Sequence, residues 1–91
     1  MSVLPVPAKQ FFSDFSFDIL VYSLLRNGSQ ISTLHGLINS DENGNYIGFL
    51  VSDEPDIQVG DILIAENKQF QVLSIDYDCY QKNPEILKAY Y

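Results

Sequence analysis

The chain has 91 residues, 46% apolar and 19% charged, with a formal net charge of −7. This size and balance fit one globular domain and exclude a second domain, a disordered composition and a large cofactor cavity. A single cysteine and a single histidine exclude an internal disulfide framework and a Cys/His zinc centre, and no apolar run approaches the ~20 residues of a membrane-spanning helix.

Residues 1–10, MSVLPVPAKQ, carry no basic stretch followed by an apolar one, so they do not read as a secretory signal. The expectation is a soluble chain made in a reducing cytoplasm. Pro5 and Pro7 forbid a helix interior or a central strand, which leaves an extended arm with Val3, Leu4 and Val6 as its apolar residues. Residues 8–14, AKQFFSD, fit one or two helical turns. Arm and helix make up residues 1–14, and residues 15–91 form the single domain.

In FSFDILVY, residues 15–22, Phe15, Phe17, Ile19 and Val21 alternate onto one face and predict a first strand. A helical spacing of Phe12, Phe15, Ile19 and Tyr22 competes with it. Asn27-Gly28 marks a turn, because both residue types tolerate positive φ. Asn27-Gly28-Ser29 also fits a glycosylation acceptor, but without an export signal it reads as that turn. Residues 31–39 predict a second strand, with Gly36 as a bulge or a point of close approach. SDENGN, residues 40–45, is a turn, and residues 46–51 return as the third strand of a hairpin.

SDEPDIQVG, residues 52–60, reads as a polar loop anchored by Ile57 and Val59. Residues 61–65 form the fourth strand, 66–68 a tight turn, and 69–75 a fifth strand that is apolar on both faces and therefore central. Residues 76–84 read as a second polar loop and 86–91 as the sixth strand. Short strands joined by turns imply an all-β fold, and open edges invite aggregation. The expected architecture is a small six-stranded β-barrel, closed or partly open, with a short N-terminal arm and helix. Phe15, Phe17, Phe49, Val51, Leu63, Phe70, Val72 and Ile75 would fill it and leave no room for a ligand cavity.

Charge is unevenly placed. Residues 41–78 hold nine acids against Lys68 alone, while residues 1–40 are neutral. With no basic patch, specific nucleic-acid binding is not expected. Asp41, Asn43 and Asn45 match the first positions of an EF-hand loop, but Tyr46 stands where glycine is needed and Ser52 where a bidentate glutamate is needed, so no metal is expected. The carboxylates Asp53, Glu54, Asp56 and Asp61 lie beside a proline in a loop and lack the enclosed cleft that an acid–base pair requires. His35 has no nucleophile at a suggestive spacing. Cys79, beside Tyr77 and Tyr80, has only Lys82 near it to lower its pKa. The reading is a non-enzyme without cofactor. In Val59-Gly60-Asp61-Ile62-Leu63, Gly60 permits a sharp turn and Asp61 can accept backbone N–H groups within it, which marks a structural turn.

The segments LHGLIN, YIGFL, VGDILIAENKQFQVLSID and ILKAYY run in the order hairpin, loop, Gly-Asp strand, tight turn, Phe-x-Val strand and closing strand. In this order, and most closely over residues 60–76, the chain resembles the small β-barrel head–tail joining (head-closure or attachment) proteins of tailed bacteriophages. AKQFFSDFSFDILVY is similar to their amphipathic start and first strand. The resemblance covers about two thirds of the sequence. It implies a virion-assembly protein, in the virion and in the host cytoplasm during assembly, that docks as a ring on portal and tail proteins around a DNA channel. Alone, such a chain could be a monomer. It also implies contacts through the arm and loops, with Val3, Leu4, Val6, Asp53, Glu54, Asp56, Tyr77 and Tyr80 as interaction residues and loop 52–60 as an acidic channel lining. Two other classes fit the residues: a small acidic binder that mimics nucleic-acid phosphates, and a structural adaptor barrel with no phage role.

Overall fold

The computed structural model describes residues 2–91; Met1 of the expected arm lies outside them. The chain is mostly β, with strands β1 (Ser2–Val3), β2 (Ile19–Arg26), β3 (Ser29–Asp41), β4 (Gly44–Leu50), β5 (Ile62–Ala65), β6 (Lys68–Gln71), β7 (Ser74–Tyr80) and β8 (Asn83–Tyr90). The one α-helix, α1, spans Ala8–Asp14. All strands belong to one sheet of order β1-β7-β8-β4-β3-β2-β5-β6. Seven are antiparallel, and β1 adds in parallel to Asp78 and Cys79 of β7.

Turn chemistry accounts for the hairpins. Asn27-Gly28, Glu66-Asn67 and Gln81-Lys82 all sit at positive φ. Such pairs match the right-handed twist of flanking strands. Asn43 donates its backbone N–H to Asp41 Oδ1 at 2.8 Å and tightens the β3–β4 turn.

The sheet rolls on itself without a hydrogen-bonded seam between its ends. β6 and β7 are two arms of one bent strand instead. Gly60 N–H donates to Val72 O and Val72 N–H to Asp61 O, which prolongs the β5 ladder, whereas the next amide, Leu73 N–H, donates to Tyr90 O of β8. The backbone thus changes ladders between Val72, which is buried, and Leu73, which is 62% exposed. Tyr22, Leu24, Ile47, Phe49, Leu63, Val72, Leu87 and Ala89 fill the rolled interior. Tyr22 makes edge-on ring contacts with Phe49 and Phe70. A second cluster lies on the outer face, where Ala8 and Phe12 of α1 pack on Leu37 and Ile86.

Several expectations are corrected. Among the described residues the count is eight strands, not six, because the arm supplies β1 and the expected loop 76–84 is the hairpin of β7 and β8. Its acids, Asp76 and Asp78, alternate with Tyr77 and Cys79 on a strand whose outer face is polar. Cys79 is accordingly buried in a strand, not placed in a loop. The strand expected over 15–22 begins at Ile19. Phe15 ends α1, stacking on Phe11 one turn back at 4.8 Å, and residues 16–18 form a 3-10 turn. Phe15 and Phe17 are therefore exposed, and the inward face of β2 is Leu20, Tyr22 and Leu24, not Val21. Of the other expected core residues, Phe49, Leu63 and Val72 are buried, while Val51, Phe70 and Ile75 pack at the margin. Ile57 anchors its loop; Val59 is exposed.

Gly36 is a point of close approach. A Cβ there would stand 2.7 Å from Ile47 Cγ2 and 2.7 Å from Phe49 Cε1. Gly36→Ala overpacks the interior and is expected to cost about 1–3 kcal/mol, read as a lower midpoint in urea unfolding. His35→Ala, on the exposed face of the same strand, is expected to stay within about 0.5 kcal/mol of the parent. Equal midpoints for the two variants would contradict this packing.

Candidate protein-interaction surface

The arm runs along the edge of its own sheet. Leu4 N–H donates to Cys79 O at 2.7 Å, beyond the β1 pairing. Leu4 and Val6 are half-buried, with Leu4 against the helix cluster, whereas Val3 is 82% exposed. Pro7 then opens α1. The unpaired N–H of Ala8 is taken by Glu85 Oε1 of β8 at 2.8 Å, which fastens the helix start to the sheet across 77 positions.

Next to that bond is an open groove of about 290 Å³, lined by residues 7–9, 50–52 and 84–85. Three segments singled out in the sequence meet here: the end of the arm, the start of the acidic loop and the strand that follows the β7–β8 turn. Pro7, Leu50, Val51 and Pro84 give apolar walls, and Lys9, Ser52 and Glu85 give polar rims. Asp53 closes the 3-10 turn Val51–Asp53 and is exposed, as is Glu54, which holds a left-handed φ of 53°.

The rest of the loop is held to the end of β2 by a clamp. Arg26 Nε and Nη2 bind the two oxygens of Asp61 at 3.0 and 2.8 Å, and Nη2 also donates to Asp56 O at 2.8 Å. Asp56 Oδ2 lies 3.5 Å from Nη1. Asp61 is buried and accepts Gln58 N–H at 2.9 Å. The Arg26 hydrogen bonds hold its carboxyl below the usual carboxylate range. Gly60, at φ 96°, makes the turn that aims Asp61 inward. Gly60 and Asp61 are thus structural, and Asp56 is partly engaged.

A second ion cluster has no counterpart among the sequence candidates. Lys88 is 1% exposed on the outer face of β8. Its Nζ lies 2.9 Å from Asp41 Oδ2 of β3 and 3.0 Å from Asp78 Oδ1 of β7. The Tyr90 hydroxyl donates to Asp41 Oδ2 at 2.5 Å, and the rings of Tyr46 and Tyr90 lie 5.3 and 5.6 Å from the ammonium. Burial works to lower the Lys88 pKa, but Asp41, Asp78 and Tyr90 outweigh it and the net shift is upward. Asp41 falls to about 2, chiefly through the Tyr90 and Lys88 hydrogen bonds. In the sequence the only local signal is a lysine between Leu87 and Ala89, since its partners Asp41 and Asp78 lie far from it along the chain.

The remaining candidates are separate from the groove. Tyr77 packs against the interior, and Tyr80 is half-buried beside the β7–β8 turn, its hydroxyl 3.4 Å from Gln81 Nε2. His35 is exposed on β3. The hydroxyl of Tyr22 is buried in the interior without a hydrogen-bond partner among the described residues, and burial pushes its pKa up to about 12. No group of three or more His, Cys, Asp or Glu side chains among the described residues is arranged to hold a metal ion.

Lys88→Met leaves Asp41 and Asp78 facing each other without their cation. It is expected to cost about 3–5 kcal/mol in denaturant unfolding, because a buried pair loses one partner. The depressed pKa of Asp41 stabilises the fold fully above its ordinary value of 3.8, and that stabilisation is lost as pH falls toward about 2. Asp61 and Asp76 shift in the same direction. Stability measured from pH 6 downward should therefore decline most steeply in this acid window, and Asp41→Asn should flatten the decline; an unchanged slope in that variant would contradict the assignment. No family model, no curated protein and no solved structure matches the chain.

Proposed function

We propose that the chain is a non-enzymatic joining protein that docks on a partner through the groove between the arm, the 51–53 turn and the start of β8. The observation that carries this reading is the convergence of these three segments on one open, apolar-walled groove. Loops and termini on a rigid barrel are where recognition is usually placed. The resemblance over residues 60–76 points to head–tail joining in a tailed phage as the assembly concerned, with a portal or tail protein as the partner and a ring of copies as the product. The exposed Asp53 and Glu54 next to the groove suit the lining of a DNA channel, because they repel the phosphate backbone.

The structural use of the other ionisable groups favours this reading over an enzyme. Arg26, Asp41 and Lys88, whose pKa values are strongly shifted, are all engaged in ion pairs within the fold: Arg26 with Asp61, and Lys88 with Asp41. It also favours joining over mimicry of nucleic acid. Of the nine acids in residues 41–78, Asp41, Asp56, Asp61 and Asp78 are ion-paired within the fold, so the acids do not form one free anionic face.

The test is assembly with a purified tailed-phage portal protein, followed by electron microscopy and native mass spectrometry. The wild-type chain is expected to add to the portal as a ring. Lys9→Glu with Ser52→Arg should abolish the addition while the melting temperature holds, since both positions are exposed. Deleting residues 2–6 removes β1 and the Leu4 contact; the domain should stay folded at a cost of about 1–3 kcal/mol, with weakened docking. A wild-type chain that neither binds the portal nor forms rings would refute head–tail joining.

A further inference from the structure

A different surface lies at the other end of α1. Phe17 is fully exposed in the 3-10 turn, Phe15 is 45% exposed and Ile38 43%. Val21 continues the outer face of β2 two residues beyond Ile19 and is 56% exposed. Phe11, Phe15, Leu37 and Ile38, with Asp18 and Asn39, line a second groove of about 290 Å³. Single exposed apolar residues are ordinary on a protein surface, but a run of aromatics around a groove marks a contact surface.

We propose that this corner is a second docking surface, which takes a basic segment of a partner protein through one large apolar anchor residue. The groove has room for one such side chain. The charge around it has one sign: Asp18 is the only charged residue in its lining, and Asp14 closes the adjoining end of α1. Neither carboxylate has an ion-pair partner among the described residues. Asp14 also stands at a helix C-terminus, where the backbone carbonyls favour a cation and no basic side chain is present in the last turn. A lysine or arginine beside the anchor answers both needs.

The mode of binding and the identity of the occupant follow from two further features. β3 runs to Asp41 while β2 pairs with it only as far as Leu37, so one edge of β3 lacks a neighbouring strand there. The Ser40 N–H on this stretch is already taken by the Asn39 side chain at 2.8 Å. That blunts the edge against an added strand and leaves the side-chain groove as the recognition element. Two copies meeting face to face through this corner are the wrong pairing, since they would bring Asp14 and Asp18 of each together.

The proposal is independent of the groove at the start of α1 and is tested separately. ¹⁵N-labelled protein is titrated with acetyl-Arg-Leu-Phe-Arg-amide and with acetyl-Glu-Leu-Phe-Glu-amide. The basic peptide is expected to shift the amide signals of residues 15–18 and 38–39 and to bind about tenfold tighter than the acidic one. Asp14→Asn with Asp18→Asn should erase that preference. Phe17→Ser should weaken binding of both peptides with the melting temperature unchanged, and Lys9→Glu should leave binding intact. Equal affinity for the two peptides, shifts centred elsewhere, or no shifts at about 10 mM peptide would overturn the proposal. So would a concentration-dependent dimer in sedimentation that Phe17→Ser dissolves, since the face would then belong to a second copy.

Discussion

A lysine ammonium withdrawn from water dictates how the outer face of this sheet is built. Lys88 is central in the strand order: β8 lies between β7 and β4. Taking its charge out of solvent costs several kcal/mol, and the fold offsets that cost with two carboxylates, a hydroxyl and two aromatic rings drawn from β3, β4, β7 and β8. Each partner is useful only if its strand holds the right register. A slip by one residue would turn Asp41 or Asp78 to the opposite face and leave a buried charge unmatched. The same slip would turn the interior face outward, so the ammonium and the apolar alternation demand one register.

The two faces of the rolled sheet therefore work differently. Inside, Tyr22, Phe49, Leu63 and Leu87 pack by shape. Outside, the surface is shared between α1, which covers Leu37 and Ile86, and the Lys88 cluster, which needs no helix because its charges satisfy each other. A seven-residue helix is enough for that reason. It spans only part of the face, and the apolar residues at its two ends are left facing solvent. Both grooves are by-products of this economy: one opens where the helix starts, the other where it stops.

Much of this was legible locally. Asn27-Gly28 and the Gly60-Asp61 turn are written in residues that tolerate positive φ or accept backbone N–H groups, and two prolines mark the arm. The helix over residues 8–14 follows from what can and cannot lie after Pro7. What is not legible depends on distance. Phe15 and Phe17 read as core because their hydrophobicity and alternation are those of a buried strand; only the placement of α1 makes Phe15 a helix end and Phe17 a tip. Asp76 and Asp78 read as loop because the lysine that justifies them lies on the returning strand. Asp41 is 47 positions from Lys88, and no window-based pattern links them.

The bend between Val72 and Leu73 bears on mechanics. Adjacent amides bond to two different ladders, Val72 to the residue before β5 and Leu73 to the end of β8. In a sandwich, two sheets can part along the plane between them. Here the peptide bond at the corner couples the two ladders, so strain in one is delivered to the other within a single residue. The rolled sheet is joined at this corner by the chain itself and not by a ladder of hydrogen bonds, so the two ladders cannot part there without distorting the backbone between Val72 and Leu73.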